Sequence, residues 1–525
     1  MTTGTSTKPL DLMATGCADA TNLTANDTGN SSPVPVPEAQ PQHPGGPAKT
    51  LDSCFVHALV WTGSMKWAAQ LLAWGATLIL VRLLTPADYG LMGLVTVFMT
   101  FVTLASEFGI GSAIVVNDVP DALIPQLNAM GVLIGVLCLG IGCAAGKPLG
   151  WFFGNPKLPL VIVVMSLGFV FSGFATVPSS LLQKRLRFKA LAGLDVLRAL
   201  LTSGVSVGLA FAGWKYWSLV WGTIVADAIF TLLLVVTTPQ EFAWPRFKAL
   251  RNTLGVGTDI LLNTLAWHIW SNADFMVAGR RLGVTPLGCY TISWNVASVP
   301  DTRVSAMISR VSPAFFSAVK ADAAELRRYL LRLTEAISLI AMPAAVGLAL
   351  VAGEFVPVVF GNQWVAAVLP LRLLALATII RCVAFFVPQV LNVVGESRFA
   401  MFTSVATAIV LPGGFYVGSR WGIDGIAGAW LLAYPLMLIP NYWRMTKKID
   451  LPVSELLGAF SPAAAGAAMM AVVVVLVHKS LPLVPQGVRL AAEVGTGALA
   501  YVSFIMAAYR ERVISVWHTA RATRG

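Results

Sequence analysis

Apolar runs of about 20 residues, parted by short polar breaks, fill the chain from about residue 57 onward. Each run is close to the roughly 20 helical residues needed to cross about 30 Å of hydrocarbon. The pattern predicts fourteen membrane helices, at 59–81, 90–112, 127–146, 158–181, 190–212, 217–236, 256–277, 287–309, 331–352, 365–389, 399–417, 423–441, 459–478 and 488–508. Residues 1–56 break the pattern. They are rich in Thr, Asn, Pro, Gly and Ser and include Pro33-Val34-Pro35-Val36-Pro37 and Pro44-Gly45-Gly46-Pro47. Such a segment buries too little apolar surface to offset its chain entropy, so a disordered extension is expected.

One polar break occurs twice. Arg82-Leu83-Leu84-Thr85-Pro86-Ala87-Asp88-Tyr89-Gly90 follows the first run, and Arg281-Leu282-Gly283-Val284-Thr285-Pro286-Leu287-Gly288-Cys289-Tyr290 follows the seventh. A second echo lies at a similar offset: Gly213-Trp214-Lys215-Tyr216-Trp217 opens run six and Trp421-Gly422-Ile423-Asp424-Gly425 opens run twelve. Repeats containing an even number of spans share one orientation. The expected fold is therefore all-α, with two six-helix lobes related by a pseudo-two-fold axis along the membrane normal and two peripheral helices. The boundaries expected are 57–238 for the N-lobe, 239–445 for the C-lobe and 446–525 for helices thirteen and fourteen with a basic cytoplasmic tail.

Composition agrees with many spans: 56% of residues are hydrophobic, 12% are charged and the mean hydropathy is +0.74. The net charge of +11 points to topology rather than to nucleic acid, because Lys and Arg collect in cytoplasmic loops. With the N-terminus cytoplasmic, 22 cations fall in cytoplasmic segments and 9 on the opposite side. Both termini are then expected in the cytoplasm, and both Thr-Pro breaks on the outer face. The six cysteines (Cys17, Cys54, Cys138, Cys143, Cys289 and Cys382) form no CxxC pair and read as packing residues.

Catalysis finds no support. After residue 57 no predicted loop exceeds roughly 20 residues, short for a membrane polymerase or glycosyltransferase with a catalytic segment. Gly140, Gly142, Gly146 and Lys147 lack phosphate-loop spacing, and Pro148 stands where a hydroxyl residue is needed. HExxH and GxSxG motifs are absent, and nothing calls for a cofactor or a metal.

Charges inside the spans are the candidate chemistry, since an ionisable group at mid-bilayer costs about 2.5–3.5 kcal/mol and needs a partner or water. Lys66, Arg198, Arg303, Arg372 and Arg381 fall within spans, and Arg82 and Arg281 stand at outer helix ends. These seven cations are candidates for lining a substrate cavity. The nearby acids include Glu107, Asp195, Asp227, Asp274 and Asp301, of which Glu107, Asp195, Asp227 and Asp274 are candidates for ion coupling. A plainer reading pairs Asp195 with Arg198 and Asp301 with Arg303 along one helix, and lets Arg82 and Arg281 snorkel to the interface. Asn263, Asn272, Asn295 and Asn392 are expected to hydrogen-bond between helices.

The segments Arg82 to Gly90, Glu107 to Ala113, Pro178 to Phe188 and Asn272 to Arg280 together resemble bacterial polysaccharide flippases. These are the lipopolysaccharide and exopolysaccharide biosynthesis proteins of the multidrug/oligosaccharidyl-lipid/polysaccharide exporter superfamily, and the resemblance runs over about 57–450. It implies a V-shaped pair of lobes around a cationic cavity in a bacterial inner-membrane protein that is not an enzyme. The implied substrate is a polyprenyl-pyrophosphate-linked oligosaccharide, moved from the cytoplasmic to the periplasmic leaflet by alternating access. Membrane lipids, a polysaccharide polymerase and glycosyltransferases are the implied partners. A cation-coupled multidrug exporter of the same fold is the alternative, disfavoured by a cavity with more Arg than Asp, followed by a membrane polymerase.

Overall fold

The computed structural model describes residues 69–106, 110–116, 120–185, 187–245, 258–302 and 323–510. The N-terminal extension, the end of the basic tail, and the candidate residues Lys66, Glu107 and Arg303 lie outside the described residues. No strand occurs among the described residues. The first half-bundle contains α1 (Ala69–Leu83), α2 (Pro86–Ser106), α3 (Ile110–Val116), α4 (Ile124–Phe153), α5 (Leu158–Lys184), α6 (Phe188–Phe211) and α7 (Tyr216–Thr237). The second contains α8 (Thr258–Leu282), α9 (Val284–Ala297), α10 (Ala323–Phe355), α11 (Val368–Ala384), α12 (Phe386–Val393), α13 (Ser397–Gly418) and α14 (Gly422–Lys448). Helices α15 (Val453–Ser480) and α16 (Gln486–Ala508) complete the chain.

Over its described residues, every expected span coincides with helix. Ten stretches among the described residues are long and apolar enough to cross a membrane, and one of them, Ser397–Lys448, holds both α13 and α14. The other expected spans are α1, α8 and α9. Helix α8 is long but polar, carrying His268, Asn272, Asp274, Arg280 and Arg281.

Small residues set the closest packing. The buried face of α4 is Gly131, Gly135, Cys138, Gly142, Gly146 and Gly150, a stripe at helical spacing laid against α5. In lipid, where apolar attraction between helices is weak, such stripes let backbones approach and gain dispersion contacts. Gly142 and Gly146, which superficially suggest a phosphate loop, belong to this seam. Helices α5, α6 and α7 then pack together, while in the second half α8 packs on α13, α13 on α14, α10 on α11 and α11 on α14. The α15–α16 pair lies against α10.

Candidate functional site: a closed seam and two ion pairs between helices

The two halves meet chiefly along α2 and α9, the helices that follow the repeated break. Thr85 caps α2 because its backbone N–H and hydroxyl both donate to Asp88 Oδ2, at 3.0 and 2.7 Å, while Pro86 occupies the first turn without missing its N–H. Gly283, at φ 85°, turns the chain into α9 instead. The seam is reciprocal. A Cβ on Gly90 would lie 2.7 Å from the carbonyl carbon of Val284 and 2.9 Å from the nitrogen of Gly288. A Cβ on Gly288 would lie 2.5 Å from the carbonyl carbon of Pro86 and 3.0 Å from the nitrogen of Gly90. Pro86 and Gly90 therefore match Val284 and Gly288 in space. The Thr-Pro string is displaced by two residues in the second copy, where Pro286 sits inside the first helical turn.

Beside this seam, Arg82 donates from Nε to the Val359 carbonyl at 2.9 Å and from its guanidinium to that of Val358. Trp364 Nε1 donates 2.9 Å to the Val81 carbonyl, and Gln363 reaches the carbonyls of Val81 and Leu84. Arg82 thus clasps the end of α1 to the segment between α10 and α11, beside a shallow hollow that also includes Asn362 and Gln363. Arg281 is exposed and stacks on Tyr416, 4.8 Å from the ring centre. Arg280 lies over Phe152, a contact between the halves.

The N-terminal half holds a cavity of about 290 Å³ whose polar lining includes Thr176, Ser179, Gln183, Asp195, Arg198 and Asp227. Arg198 is about 15 Å along α6 at 1.5 Å per residue, so it sits near mid-helix. Its Nε and terminal nitrogen both lie 2.6 Å from Asp227 Oδ1 on α7, and its guanidinium lies over Phe230. Asp195, the expected partner on the same helix, lines the same cavity, and Asp227 adds a partner from the neighbouring helix. A pair between neighbouring helices secures their packing as well as the charge.

The C-terminal half holds a denser network. Asp274 on α8 is fully buried. It accepts the Tyr290 hydroxyl at 2.6 Å, Trp430 Nε1 at 3.0 Å and the Phe275 backbone N–H at 2.9 Å, so each charge-bearing oxygen has a donor. Arg381 on α11 pairs with Asp301 Oδ2 at 2.9 Å and lies over the rings of Trp294 (4.4 Å) and Trp430 (5.4 Å). Aromatic faces stabilise the guanidinium electrostatically where water is scarce. Asp301 was expected to pair with Arg303, which lies outside the described residues; the described partner of Asp301 is Arg381. Arg372 is exposed at the start of α11 beside Gly353, where an added Cβ would come within 2.9 Å of its Nη2. Asn272 bonds within its own helix, to the His268 carbonyl at 3.0 Å, rather than between helices.

The five described candidate cations, Arg82, Arg198, Arg281, Arg372 and Arg381, thus do not gather at one place. Arg82 and Arg281 stand at the hinge end, Arg198 in the N-terminal cavity and Arg381 in the aromatic network, the last two each with a carboxylate. Tyr290, Trp294 and Trp430 were missed as a group. A signal existed in Tyr290, which closes the second copy of the hinge motif.

A family description, polysaccharide biosynthesis protein, fits residues 79–369. This chain belongs to that family. Teichuronic acid biosynthesis protein TuaB of Bacillus subtilis is 23% identical over 431 residues, 78% of this chain and 86% of TuaB. Lipopolysaccharide biosynthesis protein WzxC of Escherichia coli is 25% identical over 386 residues, 71% of this chain and 76% of WzxC. Among solved structures, lipid II flippase MurJ in its inward closed conformation superposes with a TM-score of 0.67 at 11% identity, covering 86% of this chain and all (100%) of MurJ. The likeness establishes the fold, a multi-pass helical membrane bundle of two lobes.

Proposed function

We propose that this protein is a flippase that carries a polyprenyl-pyrophosphate-linked oligosaccharide across the bacterial inner membrane by alternating access. Both termini lie in the cytoplasm on this reading, and the Gly90–Gly288 seam closes the outer side. The observation that carries it is the pair of arginines within apolar, membrane-length stretches, Arg198 in one half and Arg381 in the other, each beside a carboxylate. A lipid diphosphate is the anion such guanidiniums recognise, through charge-assisted and bidentate hydrogen bonds. The polar cavity beside Arg198 supplies hydrated space of the kind a sugar needs. WzxC and TuaB, named for lipopolysaccharide and teichuronic acid biosynthesis, support a polysaccharide precursor as cargo. The curated relatives and MurJ support transport rather than catalysis. Asp227 and Asp274 are the described carboxylates best placed for ion coupling, with Asp195 beside the first. A polysaccharide polymerase and glycosyltransferases are the expected neighbours in the assembly line.

Charge-neutral pair variants test this reading, because removing an arginine alone leaves a partly buried carboxylate without that cation and confounds transport with folding. Arg381→Gln with Asp301→Asn, and Arg198→Gln with Asp227→Asn, are each expected to accumulate lipid-linked oligosaccharide on the cytoplasmic leaflet and to cut polymer export. Normal export in both pair variants would end the proposal that these arginines receive the pyrophosphate.

A further inference from the structure

Helix α10 carries Glu354 in its last turn, α15 carries His478 in its last turn, and α16 presents Arg489 and Glu493. The three helices pack on one another, and these side chains converge where they meet. His478 Nδ1 lies 2.8 Å from Glu493 Oε1 and 3.3 Å from Glu354 Oε1. The Glu493 side chain is 1% exposed and that of Glu354 8%, whereas His478 is 49% exposed and opens the cluster to solvent. Arg489 holds Glu354 Oε1 at 3.1 Å. Among the described residues this is the one group of three His, Cys, Asp or Glu donors with its ligand atoms within 4.8 Å of one another.

We propose that Glu354, His478 and Glu493 bind a divalent transition-metal ion, with Zn²⁺ the best match. Two carboxylate oxygens from different helices converge on one ring nitrogen, and that nitrogen has a single position for a proton. A hydrogen there satisfies one carboxylate along its axis, while a metal ion takes the nitrogen lone pair and both oxygens together. Bond lengths of about 2.0–2.2 Å in a tetrahedron place donor atoms about 3.3 Å apart. The His478–Glu354 separation already has that value, and the His478–Glu493 separation needs to widen by about half an ångström. One imidazole with two carboxylates selects a borderline first-row ion over Mg²⁺, which prefers all-oxygen, water-rich shells. Arg489 then serves as the outer partner that orients Glu354 and moderates the site's charge. Exposed His478 gives an entry path and leaves a fourth position to water. Bound there, the ion ties the α15–α16 pair to α10 and so to the C-terminal half. This inference does not depend on the transported cargo.

The experiment uses the full-length protein in detergent micelles, its purification tag removed and its metals stripped with a chelator. ZnCl₂ is titrated by calorimetry, with MgCl₂ as the comparison, and bound zinc is counted after desalting. One equivalent of zinc per chain is expected. Binding should fall on the order of tenfold or more in His478→Ala and in Glu493→Gln, and stay unchanged in His268→Ala on α8. Glu493→Gln keeps the side-chain shape, so its elution profile should match the parent. X-ray absorption of the zinc-loaded parent protein provides a check free of mutation: the expected first shell is nitrogen and oxygen with a histidine signature. No zinc above background, undiminished binding in both site variants, or a sulfur-containing shell would each overturn the site.

Discussion

A single methyl group at the seam should open the molecule. In Gly90→Ala the new Cβ falls 2.7 Å from the Val284 carbonyl carbon and 2.9 Å from the Gly288 nitrogen, where carbon atoms normally stand about 3.5–4.0 Å apart. Both obstacles are backbone, so no rotamer change relieves them, and α2 must part from α9 by about 1 Å. Leu91, Leu94 and Leu287, all buried along this seam, then lose part of their contact. Overpacking of this kind costs about 1–3 kcal/mol. At 2–3 kcal/mol against the closed arrangement, the closed-to-open ratio falls roughly 30- to 150-fold. The reporter is Cys289, next to Gly288 and 3% exposed. With the other five of the six cysteines replaced, its reaction with a membrane-impermeant maleimide should accelerate by a similar factor in Gly90→Ala. Gly288→Ala meets the same two strands of backbone from the other side. One parting relieves both overlaps, so the double variant should label little faster than either single one, which is non-additivity between contacting residues. Gly193→Ala, with open space around its Cβ, is the control. Unchanged labelling in Gly90→Ala, equal acceleration in Gly193→Ala, or additive effects in the double variant would refute the reasoning.

Two further outcomes follow from single contacts. Tyr290→Phe removes a 2.6 Å hydrogen bond to buried Asp274 and should lower stability by about 1.5–3 kcal/mol, as hydrogen bonds to charged groups do; a thermal melt in detergent within error of the parent would contradict it. Glu396, in the turn before α13, accepts Lys448 at 2.8 Å and Arg444 at 3.0 Å, and those contacts hold its carboxyl below the usual range. A lowered carboxylate pKa stabilises the fold above the unfolded value near 4.5 and loses that contribution as pH falls through the folded value. The melting difference between parent and Glu396→Gln should accordingly be present at pH 6 and shrink below pH 4.5; a difference that grows on acidification would contradict the sign.

The spans were legible because a membrane helix must be apolar over about 20 residues whatever it packs against. The hinge was legible as a repeated string, yet its exact register was not. The eye aligns Thr85-Pro86 with Thr285-Pro286, whereas the helices align where two glycine backbones touch, and Gly90 meeting Gly288 is a fact about packing rather than about resemblance. Charge partners were the least legible. Periodicity along one helix offers only neighbours three or four residues away, and it nominated Asp195 for Arg198 and Arg303 for Asp301. Arg303 lies outside the described residues, and the cross-helix partners Asp227 for Arg198 and Arg381 for Asp301 are ones that periodicity along a single helix does not offer. Which helices are neighbours is decided by small-residue seams such as that between α4 and α5, and those seams carry no label for the charge they will juxtapose.

That pairing bears on how an arginine in the membrane could handle an anion. A lone guanidinium would be costly to hold inside the membrane, and Asp227 and Asp301 offset that cost for Arg198 and Arg381. On the proposed reading, a pyrophosphate that engages Arg198 takes the guanidinium away from Asp227 and leaves a partly buried carboxylate without its cation. The same low dielectric that strengthens the arginine–phosphate contact penalises that carboxylate, so a proton or small cation that neutralises it favours substrate binding. Coupling of this kind is reciprocal: whatever the anion does to the affinity of Asp227 for a proton, the proton does to the affinity of Arg198 for the anion. The half-exposed Arg198 and the less exposed Asp227 suit that exchange on the proposed reading, in which the arginine swings into the cavity while the carboxylate stays behind on α7. Arg381 is held differently, between two tryptophan rings and Asp301, so its release requires the aromatic cluster to move as well. The N-terminal pair is therefore the one that can yield to substrate without repacking its lobe, and the C-terminal pair is the one whose rearrangement would be felt along α8 and α9, the helices that form the seam.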